Sequence, residues 1–476
     1  MGKSAEPDDA LGLGEAILTG ATTAVAAMEA AIERVRTSER LGAVSHLSPG
    51  LGLERAAAID AELKRRSTNS AARPFLGVPF LMKDLGAAAE GLPVTCGSRS
   101  ITPQLAQADS ELAARFWNSG LAPFGVTTTP EFGLALSSEP AIGPIARNPL
   151  DPRLTPGGSS GGAAAAVAAG IVAFAHATDA GGSIRVPAAC CGLVGLKPSR
   201  GAIPGGPAFG NHLSGLATEF VVSRSLRDTA AALDRCAGAG QGPFPDPDLG
   251  GPNLASLDET PEGLTIGVCV EAGATAVAAA NSDAIRHAGE ALTRAGHRIV
   301  NVDSNLLGKL TRDAGLVFDR VISVNLAGLL DDLSNVEPLS AAVARRGRLI
   351  TARELQAAEM IAVQIAHAMW RLLAEVDVLM TPMLSGPPLP IGSFPMDHED
   401  VELQWRRMAE FAPVATLANV AGVPALSVPH GEADGLPLSV QLIGPMASDG
   451  LLLRLARQLQ TAAPWRFKTT IAGWPQ

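Results

Sequence analysis

Two glycine clusters that contain serine constrain this chain more than any other feature. They are residues 157–162, with the sequence GGSSGG, and residues 181–185, with the sequence GGSIR. Because glycine has no Cβ atom, a serine among glycines can bring its hydroxyl close to a reacting carbonyl. Stretches rich in glycine and serine are often flexible linkers, but here the Ala-rich run 163–175 joins the clusters in an apolar context. We therefore expect both clusters to lie within a packed core.

A lysine upstream of these clusters, Lys83, follows the apolar run 75–82, which predicts a buried strand. Burial disfavours the charged form of a lysine, so a lysine at this position loses its proton more easily than one in water. The combination predicts a serine nucleophile that is activated by a lysine rather than by a histidine.

The first cluster also matches the pattern G-x-S-x-G with Ser159 at its centre, which is typical of hydrolases with a Ser-His-Asp triad. That arrangement needs a strand directly before the serine, and the proline-rich residues 149–156 cannot form a central strand. His430, which follows the predicted strand 425–428, keeps a histidine-dependent mechanism open.

The charge of the chain disfavours a nucleic-acid-binding function. Lys and Arg number 37 against 47 Asp and Glu, which gives a net charge of −10, and no basic cluster offsets it. The sequence has neither a C-x-x-C nor an H-E-x-x-H motif, so we expect no metal and no cofactor.

The cysteines and the apolar segments indicate a soluble protein of the cytoplasm. Five cysteines without paired spacings are typical of reduced thiols. The most apolar run, 163–175, is shorter than the ~20 residues of a membrane span, and the acidic amino terminus is unlike a signal peptide. We therefore expect a cytoplasmic protein that binds no membrane.

Predicted strands and helices alternate along the chain, which indicates an α/β fold. Helices are expected at 17–36, 53–66, 110–120, 282–295, 316–333, 352–375 and 451–462. Buried strands are expected at 75–82, 192–196, 264–270, 297–302, 376–380, 425–428 and 438–443. We predict a single large domain with a mixed central sheet covered by helices on both faces. Within it, residues 1–70 form a helical segment and residues 71–476 form the core.

Several separated segments carry motifs whose order and spacing are informative. They are 77–84 (GVPFLMKD), 156–162 (PGGSSGG), 178–189 (TDAGGSIRVPAA), 192–201 (GLVGLKPSRG), 435–437 (GLP) and 441–444 (QLIG). Over nearly its whole length the chain resembles the amidase signature family, which also shows the spacing between Ser159 and Ser183.

The resemblance implies the catalytic residues and how they act. Ser183 corresponds to the nucleophile, Ser159 to a bridging serine that follows a cis peptide bond, and Lys83 to the base. An oxyanion hole is expected from the consecutive backbone N–H groups of Ala180, Gly181, Gly182 and Ser183.

Further residues are expected to support this site. Ser160 is expected to hold it together by hydrogen bonds, and Asp179 and Arg185 to form an ion pair that fixes the turn or is simply structural. Gly133 falls in a segment that contacts substrate in some relatives. The chain departs from the family at 125–128, where GVTT stands in place of a Gly-Lys-Thr-Asn segment that lines the wall behind the site in many members.

The resemblance implies hydrolysis of C–N bonds in amides, anilides or carbamates through a covalent acyl-enzyme on Ser183. The chain looks most similar to bacterial enzymes that open cyclic nylon-type amides and to amidases that cleave urethanes. The variable segments 202–220 and 384–412 are expected to shape the pocket. Their apolar, Gly- and Pro-rich composition favours bulky uncharged substrates. We expect the protein to act as a monomer or homodimer.

Two other hypotheses remain open. The glutaminase subunit of a tRNA-dependent amidotransferase shares the same catalytic motifs and would need partner subunits. A catalytically silent binding module with the same fold is a hypothesis from another class of function. The presence of Lys83, Ser159 and Ser183 disfavours it.

Overall fold

Strands and helices alternate along most of the chain, as the sequence predicts. The computed structural model describes residues 8–65, 73–206, 213–240, 244–272 and 275–475. The strands are β1 Val44–Leu47, β2 Pro79–Lys83, β3 Ala122–Thr127, β4 Phe174–Asp179, β5 Val194–Lys197, β6 Thr218–Ser223, β7 Thr265–Val268, β8 Arg298–Asn301, β9 Val378–Pro382, β10 Ala425–Ala433 and β11 Leu436–Ile443.

The helices are distributed along the whole of the described chain. They are α1 Ala10–Thr19, α2 Ala24–Thr37, α3 Pro49–Lys64, α4 Glu111–Asn118, α5 Gly161–Ala168, α6 Arg185–Cys191, α7 Leu226–Cys236, α8 Ala279–Arg294, α9 Ser304–Leu329, α10 Pro338–Leu349, α11 Ala352–Glu375, α12 Val401–Phe411, α13 Ala415–Ala421 and α14 Asp449–Ala462. None of these helices is both long enough and apolar enough to cross a membrane.

The large sheet has eight strands in the order β4-β6-β5-β10-β11-β9-β7-β8. Neighbouring strands from β4 through to β9 are antiparallel, whereas β9, β7 and β8 run parallel to one another. Because both kinds of pairing occur in one sheet, the predicted α/β fold with a mixed central sheet is confirmed. Strand β4 lies at one edge of this sheet, and Asp179 is its last residue.

A second sheet of three strands, which the sequence analysis does not predict, has the order β1-β3-β2. Strand β3 is antiparallel to β1 and parallel to β2. Strand β1 lies within the first 70 residues, where only helices are expected. Lys83 is the last residue of β2, so the small sheet carries one of the predicted catalytic residues.

Some element boundaries differ from the prediction for identifiable reasons. The helix expected at 17–36 is divided at Gly20, whose φ of 80° ends α1 in the left-handed region. The strand expected at 75–82 begins only at Pro79, because residues 74–77 form a turn in which Gly77 has a φ of 77°. The segment 202–220, predicted to shape the pocket, runs into strand β6, which starts at Thr218. Residues 207–212 of that segment lie outside the described residues.

Phenylalanine side chains pack where the small sheet meets β4. The Phe80 ring centroid on β2 lies 4.8 Å from that of Phe116 and 5.2 Å from that of Phe174. Phe75 lies 4.8 Å from Phe174, and all four rings are buried. This apolar contact packs β2 against the large sheet, and Lys83 at the end of β2 is fully buried.

Candidate active site

The side chain of Lys83 is fully buried and reaches three hydroxyl groups. Its Nζ atom lies 2.8 Å from Ser159 Oγ, 2.9 Å from Ser160 Oγ and 2.8 Å from Thr178 Oγ1. The structure therefore brings the predicted base into direct contact with the predicted bridging serine. Ser160 lies in the same cluster, as the sequence analysis expects.

Burial lowers the pKa of Lys83 to about 7, although the negative charges of Asp179 and Glu219 oppose the shift. A lysine in water has a pKa near 10.4 and is almost entirely protonated at neutral pH. With the lower value, a large fraction of the Lys83 amines is neutral and can accept a proton.

The backbone around Ser159 is held by several close contacts. The peptide bond between Gly158 and Ser159 is cis, as the resemblance implies. A Cβ atom on Gly158 would lie 2.2 Å from the backbone oxygen of Ser137, so a larger residue does not fit there. The Ser138 hydroxyl donates to the Ser159 carbonyl at 3.1 Å and accepts the N–H of Gly161 at 3.0 Å. These contacts fix the direction of the Ser159 side chain.

Ser183 lies in the turn between β4 and α6 and borders the same cavity as Ser159. Its carbonyl oxygen accepts the N–H of Ser160 at 3.3 Å, which joins the two glycine clusters. Within the described part of the chain, the Ser183 hydroxyl has no hydrogen-bond partner, and the residue is 8% exposed. Its oxygen is therefore available to a molecule bound in the cavity.

The four predicted oxyanion-hole amides are not equivalent. The Gly182 N–H donates to Asp179 Oδ1 at 2.7 Å, so it is already occupied by a carboxylate. The amides of Ala180, Gly181 and Ser183 have no acceptor among the described residues, and all three residues border the cavity. These three amides, without that of Gly182, are the ones available to a developing oxyanion.

Asp179 and Arg185 form a fully buried ion pair that closes the turn around Ser183. Arg185 Nε and Nη2 each donate to the Asp179 carboxylate at 2.9 Å, and the guanidinium also donates to Asn419 and Gln441 at 2.6 Å. Burial by itself would raise the pKa of Asp179. The charge of Arg185 and its hydrogen bonds outweigh this effect, so the pKa lies below the ordinary value. The carboxylate stays ionised and holds the turn in one geometry.

A cavity of about 360 Å³ lies over Ser159 and Ser183. Its wall is mainly apolar, and none of the described residues that border it is charged. The wall consists of Leu85, Gly86, Val94, Cys96, Phe132, Gly133, Leu134, Ser159, Thr178, Ala180, Gly181, Ser183, Leu213, Phe318, Ile322, Asn325, Leu326, Leu329 and Met408. The segments predicted to shape the pocket, 202–220 and 384–412, contribute Leu213 and Met408.

The structure places Gly133 beside the predicted bridging serine and places His430 away from the cavity. Gly133 has a φ of 72°, and a Cβ atom built on it would lie 3.2 Å from Ser159 Oγ. It therefore lies directly beside the bridging serine. His430 on β10 does not border the cavity, and its Nδ1 atom has no hydrogen-bond partner in the described ranges. The geometry gives a histidine-dependent mechanism no support.

The sequence analysis misses Thr178 and the wall formed by α9. Thr178 directly precedes Asp179 in the motif 178–189, and this position is the signal that could have found it. The α9 wall contributes Phe318, Ile322, Asn325, Leu326 and Leu329. Phe318, Ile322, Asn325 and Leu329 follow one another at intervals of three or four residues, which shows that they share one helix face but not that this face borders a cavity.

Comparisons with known proteins agree with this geometry. The profile of the family described as Amidase matches residues 26–453. The chain is 33% identical over 427 residues to the 6-aminohexanoate-cyclic-dimer hydrolase of Paenarthrobacter ureafaciens, a match that covers 85% of this chain and 86% of the relative.

Solved structures show the same similarity. A structure of 6-aminohexanoate cyclic dimer hydrolase superposes with a TM-score of 0.88 at 29% identity and covers 97% of this chain and 98% of that one. A bacterial aryl acylamidase of the amidase signature family superposes with a TM-score of 0.84 at 25% identity and covers 96% of both chains.

Proposed function

The chain belongs to the amidase family and hydrolyses amide C–N bonds, and we propose that its substrates are bulky uncharged amides, anilides or carbamates. The observation that carries this proposal is the apolar cavity over Ser183, whose described wall offers no charged side chain. A charged substrate group placed there would lose its hydration without gaining an ion partner. An apolar group would instead gain free energy from burial.

The names of the relatives support the same substrate class. One relative acts on the cyclic dimer of 6-aminohexanoate and another is an aryl acylamidase. A cyclic dimer of an amino acid has no free amino or carboxyl group and is therefore uncharged. An acylated arylamine likewise places an aromatic ring beside its amide bond, which suits an apolar wall.

In the proposed mechanism Lys83 acts in its neutral form, and the hydrogen bonds of its neighbours support this role. A neutral amine has two N–H donors and one lone pair. The Ser160 hydroxyl donates to the Thr178 carbonyl at 3.2 Å, so its oxygen accepts from Lys83. If the second amine hydrogen goes to Thr178 Oγ1, the lone pair is left for the hydroxyl of Ser159. Ser159 thus gives its proton to the amine.

The proposed reaction then proceeds in two stages. Ser159 takes the proton of Ser183 as its own moves to Lys83, and Ser183 Oγ attacks the substrate carbonyl carbon. The C–N bond breaks as Ser159 returns a proton to the leaving nitrogen, which leaves an ester between Ser183 and the acyl group. A water molecule, deprotonated through Ser159 and Lys83, attacks this ester, releases the acid and restores the Ser183 hydroxyl.

Stabilisation of the tetrahedral intermediate is assigned to the backbone after β4. The amides of Ala180, Gly181 and Ser183 have no protein acceptor in the described ranges, and a single well-placed donor of this kind contributes ~3–4 kcal/mol. Asp179 holds the Gly182 amide and, through Arg185, the turn itself. The donors are therefore in place before charge develops.

The glutaminase subunit of an amidotransferase remains the alternative. Free glutamine carries an ionised amino group and an ionised carboxylate, and the described cavity wall provides a partner for neither. A silent binding module is disfavoured by the contact of Lys83 with Ser159 and by the unoccupied hydroxyl of Ser183. Both alternatives give different results in the test that follows.

The test is turnover of a matched panel: a nitroanilide, an aryl carbamate, the 6-aminohexanoate cyclic dimer and glutamine. We expect release of the amine from at least one of the first three and none from glutamine. Ser183→Ala should lower the rate by at least ~10³-fold, the scale of losing a catalytic nucleophile. Ser282→Ala, a change within helix α8 away from the cavity, is the control and should retain full activity.

Each alternative has its own signature in this panel. Turnover of glutamine alone, or only with added partner subunits, would favour the amidotransferase. Turnover that survives in Ser183→Ala would refute Ser183 as the nucleophile. An intact protein that hydrolyses nothing and is not labelled by a fluorophosphonate would favour the binding module.

A further inference from the structure

A buried histidine and glutamate lie directly behind Lys83 and do not take part in the mechanism above. The backbone N–H of Lys83 donates to His176 Nδ1 at 3.2 Å. On the other side of the ring, His176 Nε2 lies 2.9 Å from Glu219 Oε2. His176 belongs to β4 and Glu219 to β6, and the two side chains are 0% and 3% exposed. A chain of hydrogen bonds thus connects the strand of the base to the edge of the large sheet.

The direction of these hydrogen bonds fixes the state of the histidine. A ring nitrogen that accepts a backbone N–H cannot itself carry a hydrogen. His176 Nδ1 is therefore unprotonated, the ring hydrogen is on Nε2, and Nε2–H donates to Glu219. A neutral imidazole faces the carboxylate, so the charge of Glu219 is not compensated by His176.

Glu219 also holds the segment that leads from Lys83 to the cavity. Its Oε2 atom accepts the N–H of Ala87 at 2.6 Å. A Cβ atom on Gly86 would lie 2.5 Å from the same oxygen, so this position must stay free of a side chain. Gly86 borders the cavity. Glu219 Oε2 therefore contacts both His176, which accepts the backbone N–H of Lys83, and the segment of Gly86 and Ala87 at the cavity wall.

We propose that Glu219, acting through His176 and the Ala87 amide, positions Lys83 and supplies the buried negative charge that keeps its amine basic. Both are positioning residues for the proposed reaction and touch no substrate, and this inference rests on the function proposed above.

Three other ionisable groups act on the pKa of Lys83, and each differs from Glu219. Asp179 follows on β4, but its charge is paired with Arg185. Asp84 is the next residue of the chain, and burial raises the pKa of its carboxyl. Burial raises the pKa of the nearby Cys96 thiol to about 12, so the thiol is neutral. Asp179 has the larger effect on the pKa of Lys83, but Glu219 differs from it in having no Lys or Arg partner among the described residues, since its Oε2 atom contacts Ala87 N–H and the His176 ring.

The first test is the pH dependence of kcat/KM in Glu219→Gln. The glutamine Oε1 can accept from His176 and Ala87 as the carboxylate does, so the variant removes the charge and keeps the hydrogen bonds. The acid limb of the profile should move to lower pH by about one unit, the order of magnitude expected when a unit charge that acts on the amine is removed from a protein interior. An acid limb that does not move would refute the electrostatic part of the proposal.

A second variant tests the positioning part separately. His176→Phe keeps an aromatic ring of similar size next to Phe116, whose centroid lies 6.0 Å away, but removes both hydrogen bonds. Because the charge of Glu219 remains, kcat at the pH plateau should fall at least ~10-fold without a downward shift of the acid limb. Unchanged kcat in a folded variant would refute this part.

Asp228→Asn is the control for replacing a buried carboxyl group, because Asp228 is fully buried and accepts the backbone N–H groups of Ala10 and Leu11. Burial raises the pKa of this carboxyl, so the variant tests the loss of buried hydrogen bonds without a change near Lys83. Asp228 is not among the groups that act on Lys83, and the pH profile of the variant should equal that of the wild type. If the wild type shows no turnover that depends on Ser183, the proposed function has failed. If that turnover is present and the two variants behave like the control, only the role of Glu219 and His176 has failed.

Discussion

Replacing Lys83 with methionine should abolish turnover and at the same time stabilise the protein near neutral pH. Lys83 is fully buried, and burial lowers its pKa from 10.5 to about 7. A lysine whose pKa falls on folding binds more protons in the unfolded state than in the folded state. The free energy of unfolding therefore rises with pH between about 7 and 10.5, and below this window the lysine destabilises the fold.

The size of the effect follows from two opposing contributions. At pH 6.5 the lowered pKa corresponds to about 5 kcal/mol of lost unfolding free energy, since one pKa unit equals about 1.4 kcal/mol. Methionine recovers this loss but gives up the three hydrogen bonds to Ser159, Ser160 and Thr178, at about 1 kcal/mol each. The net gain of about 2 kcal/mol should raise Tm by about 2 °C in a chain of this length.

The assay is thermal unfolding of wild type and Lys83→Met at pH 6.5 and pH 10.5, with nitroanilide turnover measured on the same samples. The gain in Tm should be present at pH 6.5 and should become a loss at pH 10.5, where the lysine is neutral in the folded state and only half-protonated in the unfolded state. A variant that is less stable than wild type at pH 6.5 would show that the amine is not desolvated as its burial indicates.

Lys197→Met is the matched control, because Lys197 is also buried and its pKa is also lowered by burial to about 7. Its Nζ donates to the carbonyl of Pro198 at 2.8 Å, so methionine gives up a single hydrogen bond. The variant should gain about 4 kcal/mol at pH 6.5. It should keep its activity, since Lys197 does not border the cavity. Equal loss of activity in both variants would indicate general damage to the fold rather than a role for Lys83.

Two further predictions follow from the geometry around the serines. Gly133→Ala places a methyl group 3.2 Å from Ser159 Oγ at a φ of 72°. It should lower kcat at least ~10-fold in steady-state assays, while the melting temperature followed by fluorescence changes by only a few degrees. An unchanged kcat would show that Ser159 tolerates displacement. Asp179→Asn leaves Arg185 buried without its carboxylate and should cost about 3–5 kcal/mol in urea unfolding; a loss below about 1 kcal/mol would show that Asn419 and Gln441 suffice for Arg185.

The sequence identifies the proposed catalytic residues more readily than it identifies their surroundings. Lys83, Ser159 and Ser183 can be recognised because each lies in a motif with a fixed local neighbourhood of glycines or apolar residues. The α/β class also follows, because the helical period is strong in segments such as α11, which the sequence predicts with the same bounds. These features depend on residues that are close in sequence.

What the sequence does not predict depends on contacts between distant segments. Strand β6 carries Glu219, but its residues follow a glycine-rich stretch and show no alternation that would mark a strand. Strand β1 is short and exists because it pairs with β3, some eighty residues later in the chain. The occupied amide of Gly182 likewise depends on the orientation of one carboxylate, which no spacing of residues specifies.

The basicity of Lys83 is a property of the contact between the two sheets. The small sheet carries the fully buried lysine, and strands β4 and β6 of the large sheet carry Asp179 and Glu219. Burial lowers the pKa of Lys83, and the charges of Asp179 and Glu219 oppose this shift. Together they place the pKa near 7, where the amine can both accept and return a proton. A change in how β2 packs against β4 should therefore alter the pH dependence of activity even if it touches none of the three proposed catalytic side chains.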